Sequence, residues 1–237
     1  MKSRWQAALS ASLVIVIAPV IDITPLSNIA PVIKMASTMK LPAASAESTY
    51  SESRALLETL PVKGRAPKTG YSRNQFGPQW TDVDRNGCDT RNDILKRDLT
   101  SVIFRERTRE CVVESGTLQD LYSGQTIYFQ RGEKTSALVQ IDHVVALSNA
   151  WQTGIFQATL KVRTNFANDP LNLMAVKGSL NSQKGDGDAA TWLPPNKTYR
   201  CDYVSRQIQV KVKYGLWVTK PEKEAMSRIL QSAECQK

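Results

Sequence analysis

Apolar residues recur along the chain in short runs of changing period, and that pattern predicts helices interspersed with strands. Leu56, Leu57 and Leu60 sit among charges and predict a short helix within 49–60 that stops before Pro61. The stretch PVKGRAPKTGYSRNQFGPQW, 61–80, mixes Gly, Pro and cations without a period and predicts irregular chain. TRNDILKRDL predicts a helix over 90–99 with Thr90 as its cap. Three runs, SVIFRE, ECVVESGTL and GQTIYFQ, follow as strands parted by polar or glycine-containing turns, and ALVQI at 137–141 is a fourth. ALSNAWQTG and 155–166 read as helical, and LNLMAV as a short strand. Between Lys197 and Leu216 the apolar positions 204, 208 and 212 share one helical face, opposite Arg200, Arg206, Lys211 and Lys213, which predicts an exposed basic face. Thr219 and Glu222 have the spacing of a capping box and open a last helix through Met226, Ile229 and Leu230. With no internal repeat or heptad array, the fold class is α+β.

The first segment, MKSRWQAALSASLVIVIAPVI, puts Lys2 and Arg4 ahead of an apolar core from Ala7 to Ile21 that Pro19 interrupts. A core shorter than the roughly 20 residues of a spanning helix predicts an export signal. Small residues in the pattern of a cleavage site occur late, at Ala44-Ser45-Ala46, so the expectation is a leader over 1–46, membrane-anchored if uncut, and one domain over 47–237. The chain carries a formal charge of +9 over 237 residues, and loss of Lys2, Arg4, Lys34 and Lys40 with Asp22 leaves the remainder at +6. Surplus positive charge favours a polyanionic partner, nucleic acid or an anionic surface. The mature form is expected to be monomeric, without a stable membrane span or an evident protein partner.

Cys88, Cys111, Cys201 and Cys235 are an even number in an exported chain, which predicts two disulfides, and without a CxxC pair structural zinc is disfavoured. Of three possible pairings, Cys88 with Cys111 and Cys201 with Cys235 are favoured because each closes a local loop.

His143 is the single histidine of the chain, in IDHVVALSNAW at the end of an apolar run. One imidazole is the natural proton-transfer group at neutral pH, although a lone histidine is commonly a buried structural residue. Hydrolysis of a phosphodiester needs water deprotonated, phosphate charge screened and the leaving oxygen stabilised. His143 suits the first task. Asp142 and Asn181 offer hard oxygen ligands, suited to magnesium first, with manganese or calcium as alternatives, and one histidine excludes a multi-histidine zinc site. Adjacent strand residues face opposite ways, so Asp142 and His143 share a site only where the strand turns into a loop.

IDHVV, LNLMAV and SLNSQKGD resemble the three parts of the HNH endonuclease superfamily. The resemblance implies a ββα-metal (His-Me finger) core at about 137–190, embellished with extra strands and C-terminal helices. It implies that His143 is the general base and that Asn172 braces its loop. Asp142 and Asn181 would hold one divalent cation. Asparagine in the last place, where family members often have histidine, resembles the variant in nuclease domains of RNA-guided effectors. GCDTRNDILKRDL, NDPLNLMAV, QKGDGDAATWLPPN and YVSRQIQVKVKYGLWV are similar to exported actinobacterial HNH proteins related to the C-terminal domain of GmrSD-type restriction enzymes. The implied activity is secreted, metal-dependent cleavage of DNA or RNA.

Each role has a plainer counterpart. Asn172 also suits an Asx turn after Pro170, and Asn181 a solvent-facing helix position. Lys184 would meet a substrate phosphate or be solvated, Arg91 is a candidate phosphate contact, and Arg206 belongs to a face that would attract nucleic acid by counterion release. Asp82, Asp84, Asn86, Gly87 and Asp93 imperfectly match a calcium loop, for which a turn into the following helix is the favoured alternative. Two other functions compete with nuclease: a non-catalytic protein that binds nucleic acid or the cell envelope, and a delivered antibacterial nuclease toxin.

Overall fold

In the computed structural model, which describes residues 47–236, the chain folds as α+β. The expected leader over 1–46 and its cleavage pattern lie outside the described residues. Helix α1 (Glu47–Thr59) buries Leu57 against α6 (Arg200–Lys213) and α7 (Lys220–Leu230). Helix α2 (Thr90–Asp98) starts one residue earlier than expected, because Asp89 is its cap. Its carboxylate accepts the amide of Asn92, while the Thr90 hydroxyl is spent on the Thr81 carbonyl.

Strands β1 (Leu99–Phe104), β2 (Val113–Asp120) and β3 (Gln125–Gln130) form an antiparallel sheet in that order. Strand β4 (Val139–His143) pairs antiparallel with β5 (Leu173–Lys177), His143 opposite Leu173, and helix α5 (Gly178–Lys184) follows at once. Between the paired strands run α3 (Leu147–Gln152), a single 3-10 turn and α4 (Leu160–Ala167), so the expected helix over 155–166 is broken in two.

Both faces of the β4–β5 pair are covered, which is why LNLMAV is apolar almost throughout. Val139, Ile141, Leu173 and Ala175 pack with Ile94, Leu95, Leu118 and Phe129. Met174 and Val176 face the other way, into Tyr122, Tyr203 and Ile208. Burial of each such large apolar side chain contributes about 1.5–3 kcal/mol, so the pair is a firm base for groups at its ends. Gly178 lets α5 start close against the chain: a β-carbon there would collide with the carbonyl oxygen of Ala137.

The expected basic face of α6 is a correction. Lys211 is fully buried and pairs with Glu222 at 3.0 Å, also donating to Asn149 and to the carbonyl of Trp217. Arg206 reaches the carbonyls of Pro170, Leu171 and Leu173, and Lys213 pairs with Asp169. Lys211, seven residues after Val204, falls on the apolar side of the helix and is enclosed by α7, the 170–173 turn takes up Arg206, and Lys213 stays half exposed.

The irregular 61–80 segment is strapped across the domain by Arg65 to Asp188, Lys68 to Asp186 and the Trp151 indole to the Thr69 carbonyl. Disulfides join Cys88 with Cys111 and Cys201 with Cys235, the favoured pairing, across 23 and 34 residues. In the chain-entropy picture each stabilises the domain by about 3–4 kcal/mol. No helix among the described residues is long and apolar enough to cross a membrane.

Candidate active site at the end of β4

His143 ends β4, where the chain leaves the sheet toward α3. The residue is 8% exposed, and Nε2 lies 2.8 Å from the carbonyl oxygen of Ala167 at the end of α4. A carbonyl only accepts, so Nε2 carries the proton and Nδ1 keeps the lone pair. Burial draws the imidazole pKa down to about 4; the Ala167 bond opposes this, and the charges of Arg73 and Lys184 add to it. The ring is therefore neutral at pH 7, the form a base requires. Trp80 stacks on it with ring centroids 6.1 Å apart and planes 12° from parallel. Trp80 itself has a φ of 57°, a conformation that costs a non-glycine residue about 1–3 kcal/mol and marks many functional sites.

Asn172, just before β5, is completely buried. Its Oδ1 accepts the amide of Val145 at 2.9 Å, and Nδ2 donates to the carbonyls of Val145 and Phe166. The backbone carbonyl of Asn172 takes the amide of Val144. One side chain thus ties the loop leaving His143 to the stretch of α4 that supplies the Ala167 carbonyl. Arg206 and Arg97 both donate to the carbonyls of Pro170 and Leu173 and fix the turn around it.

Asp142 points to the opposite face of β4, as alternation requires. Its Oδ2 accepts the Tyr122 hydroxyl at 2.5 Å and its Oδ1 the Lys184 ammonium at 3.0 Å. Burial, reinforced by the Asp142 charge, raises the Tyr122 pKa well above the ordinary tyrosine value, so that hydroxyl stays a donor. Lys184 is wholly buried and donates a second bond to the carbonyl of His143 at 2.8 Å. Neither expectation for Lys184 describes it: it is neither solvated nor turned to an outside phosphate, but clamps the Asp142-His143 pair from within.

Asp142, His143 and Asn181 meet at a polar cavity of about 180 Å³, which Tyr71, Arg73 and Asp186 also line. Asn181 donates through Nδ2 to Gln140 at 2.8 Å, which fixes the amide and leaves Oδ1 as its acceptor. Gly185, at φ 53°, turns the chain at the end of α5 and brings Asp186 back to the cavity. Burial pushes the Asp186 carboxyl up, but bonds from Lys68 and Ser148 outweigh it and hold the pKa below the ordinary value. Arg73 is exposed and has no ion pair among the described residues. Sequence reasoning missed Arg73, Trp80, Tyr122 and Asp186; only YSR and QKGD, polar residues amid glycines, hinted at two of them.

Two expected substrate contacts lie elsewhere. Arg91 donates to the carbonyl of Val139, at the far end of β4, and Arg206 is committed to the 170–173 turn. The 82–93 loop closes on itself, with Asn86 bridging the Asp84 and Asp93 carboxylates. Among the described residues no group of three or more His, Cys, Asp or Glu is placed to hold a metal. The cavity's donor set, two carboxylates and an amide oxygen without thiolate or second imidazole, has the chemistry of a magnesium-type ion that keeps several waters. Asp142 still has lone pairs to share while both its oxygens accept bonds.

Residues 89–229 match the family described as GmrSD restriction endonucleases, C-terminal domain. A protein from Arthroderma benhamiae, described as an uncharacterized secreted protein, is 38% identical over 182 residues, which span 76% of this chain and 84% of that protein. No solved structure matches the chain.

Proposed function

The chain belongs to the GmrSD restriction endonuclease C-terminal domain family, and from that premise we propose that it is an exported, metal-dependent endonuclease of the HNH kind, cutting phosphodiester bonds in DNA and, as a second substrate, RNA. One observation carries the proposal: a neutral, buried imidazole, oriented by the Ala167 carbonyl and braced by Asn172, borders the same polar cavity as Asp142 and Asn181. The secreted relative, the two disulfides and the predicted export signal support action outside the cell.

His143 takes a proton from water at Nδ1, and the Ala167 carbonyl facing Nε2–H offsets part of the burial that disfavours the resulting imidazolium. Asn172 holds the loop so that the ring keeps this orientation. Arg73 meets the phosphate backbone at the cavity mouth. Asp142 and Asn181 would hold one divalent cation, magnesium first, which would screen the phosphate charge and the leaving oxygen. Lys184 acts on Asp142 and the His143 carbonyl, as a positioning residue.

The test is incubation of the purified protein with supercoiled plasmid and with RNA, across magnesium, manganese, calcium, zinc and chelator, beside His143→Ala. The expected result is metal-dependent nicking that His143→Ala lowers by about 10² to 10⁴ in rate while nucleic-acid affinity persists. Binding without nicking under every metal condition would instead identify a non-catalytic binding protein.

A further inference from the structure

Two carboxylates border the cavity, and they differ in what a cation would have to displace. Asp142 is buried, its Oδ1 on the equally buried Lys184 ammonium and its Oδ2 on the Tyr122 hydroxyl. Breaking that pair to free the carboxylate would strand a cation inside the protein, which is strongly unfavourable. Asp186 stands in the opposite situation. Among the described residues its one ion pair is with Lys68 at 2.7 Å, both side chains being about half exposed, 55% and 47%, and the Ser148 hydroxyl is its other partner. Pairs of that kind contribute little and open readily, because water screens them and both side chains regain freedom.

The proton-transfer group borders the same cavity. His143, 8% exposed as a residue, lines it with its Nε2 spent on the Ala167 carbonyl.

We propose that Asp186 is a direct ligand of the divalent cation, joining Asp142 and Asn181, and that Lys68 is its counter-ion in the metal-free protein. The inference rests on the nuclease reading of this site and adds to it a third oxygen donor from the loop after α5. Asp142 keeps Lys184 and contributes a remaining lone pair; Asp186 swings from Lys68 to the ion and brings negative charge that the neutral Asn181 amide lacks. Hard cations of the magnesium type are held by such carboxylates together with retained water. The ammonium of Lys68, once released, lies beside a site for an anionic phosphate.

The experiment is calorimetric titration of the metal-free full chain with Mn²⁺, for the wild type, Asp186→Asn and Lys68→Ala, with plasmid nicking measured on the same preparations. Thermal unfolding without metal confirms that each variant is folded, which the exposure of both side chains favours. The expected result is one Mn²⁺ site that Asp186→Asn weakens by about 10- to 100-fold and that Lys68→Ala tightens by up to about fivefold. The opposite signs separate ligand from competitor, since a purely structural role for the pair would move both variants the same way. Unchanged Mn²⁺ affinity in Asp186→Asn, with wild-type nicking intact, would overturn the Asp186 assignment and leave the nuclease reading standing. A wild type that neither binds Mn²⁺ nor nicks overturns both.

Discussion

Ala167 accepts the Nε2 proton of His143 at 2.8 Å, and one residue earlier the carbonyl of Phe166 accepts from the Asn172 amide. The end of α4 is therefore a shared abutment, holding the imidazole directly and its loop through Asn172. Orientation of the base depends on backbone groups that a mutation elsewhere reaches only by moving α4.

Asn172→Ala removes the partner of the Val145 amide and leaves the Val145 and Phe166 carbonyls short of a donor, all in the interior. Unpaired buried groups cost about 1–3 kcal/mol each, so for three of them a loss of about 3 kcal/mol or more is expected. Denaturant unfolding reads this, and kcat should fall further than KM rises, because the loop positions the base rather than the substrate. Asn172→Asp keeps the acceptor for the Val145 amide but turns a carboxylate oxygen onto the Val145 and Phe166 carbonyls, so it should not recover the stability. Wild-type stability in Asn172→Ala would show that the brace is dispensable.

The histidine, its aspartate and the two asparagines were legible because they sit on consecutive short elements, where strand alternation and motif order fix their neighbourhood. Asp142, His143, Asn172 and Asn181 needed only β4, β5 and α5 to be placed. The basic face of α6 was misleading because Lys211, seven residues after Val204 and three after Ile208, lies on the apolar side of the helix rather than opposite it. Lys211 is enclosed by Glu222 from α7, and Arg206 is taken up by the carbonyls around Asn172. Arg73 and Trp80 belong to a segment with no period, held in place by distant ties such as Arg65 to Asp188. Long-range ion pairs of that sort leave no local signature.

Lys184→Met leaves the Asp142 carboxylate buried without its cation. Loss of one partner of a buried pair costs about 3–5 kcal/mol, and the double variant with Asp142→Asn should regain part of it. A double-mutant cycle in denaturant measures the coupling. If Lys184 contacted phosphate from outside, as the sequence allowed, its removal would lower nucleic-acid affinity and leave stability alone; that outcome would contradict the internal clamp.

Acid should loosen the turn that carries Asn172 before it affects the rest of the domain. Burial pushes the Asp169 carboxyl up, but Lys213, the Leu171 amide and the Tyr214 hydroxyl together hold it below its ordinary 3.8. A carboxyl depressed in the folded state stabilises the fold above the unfolded value, and that contribution disappears as pH falls through the folded one. Asp169→Asn should therefore be less stable than wild type at neutral pH and converge on it in acid. Thermal midpoints collected from roughly pH 6 down to pH 2 test the sign, and a gap between the two proteins that widens in acid would refute it.

Arg73 is the cavity's exposed cation, free of ion pairs among the described residues, and it faces the same space as His143 and Asp186. A guanidinium in that position serves either to hold phosphate or to bias the imidazole beside it, and the two roles separate by measurement. A phosphate contact contributes through counterion release, so Arg73→Ala should weaken binding to any duplex sequence and reduce the slope of log affinity against log salt by about 0.9. Arg73→Lys keeps the charge and should restore most of the slope while losing bidentate geometry, which leaves the cleavage rate short of wild type. Were Arg73 instead acting only on His143, whose pKa its charge helps to lower, Arg73→Ala would leave the salt slope intact and alter only the chemical step. A full salt slope in Arg73→Ala would remove this residue from the substrate path and return the search for the phosphate contact to the other cations of the 61–80 segment.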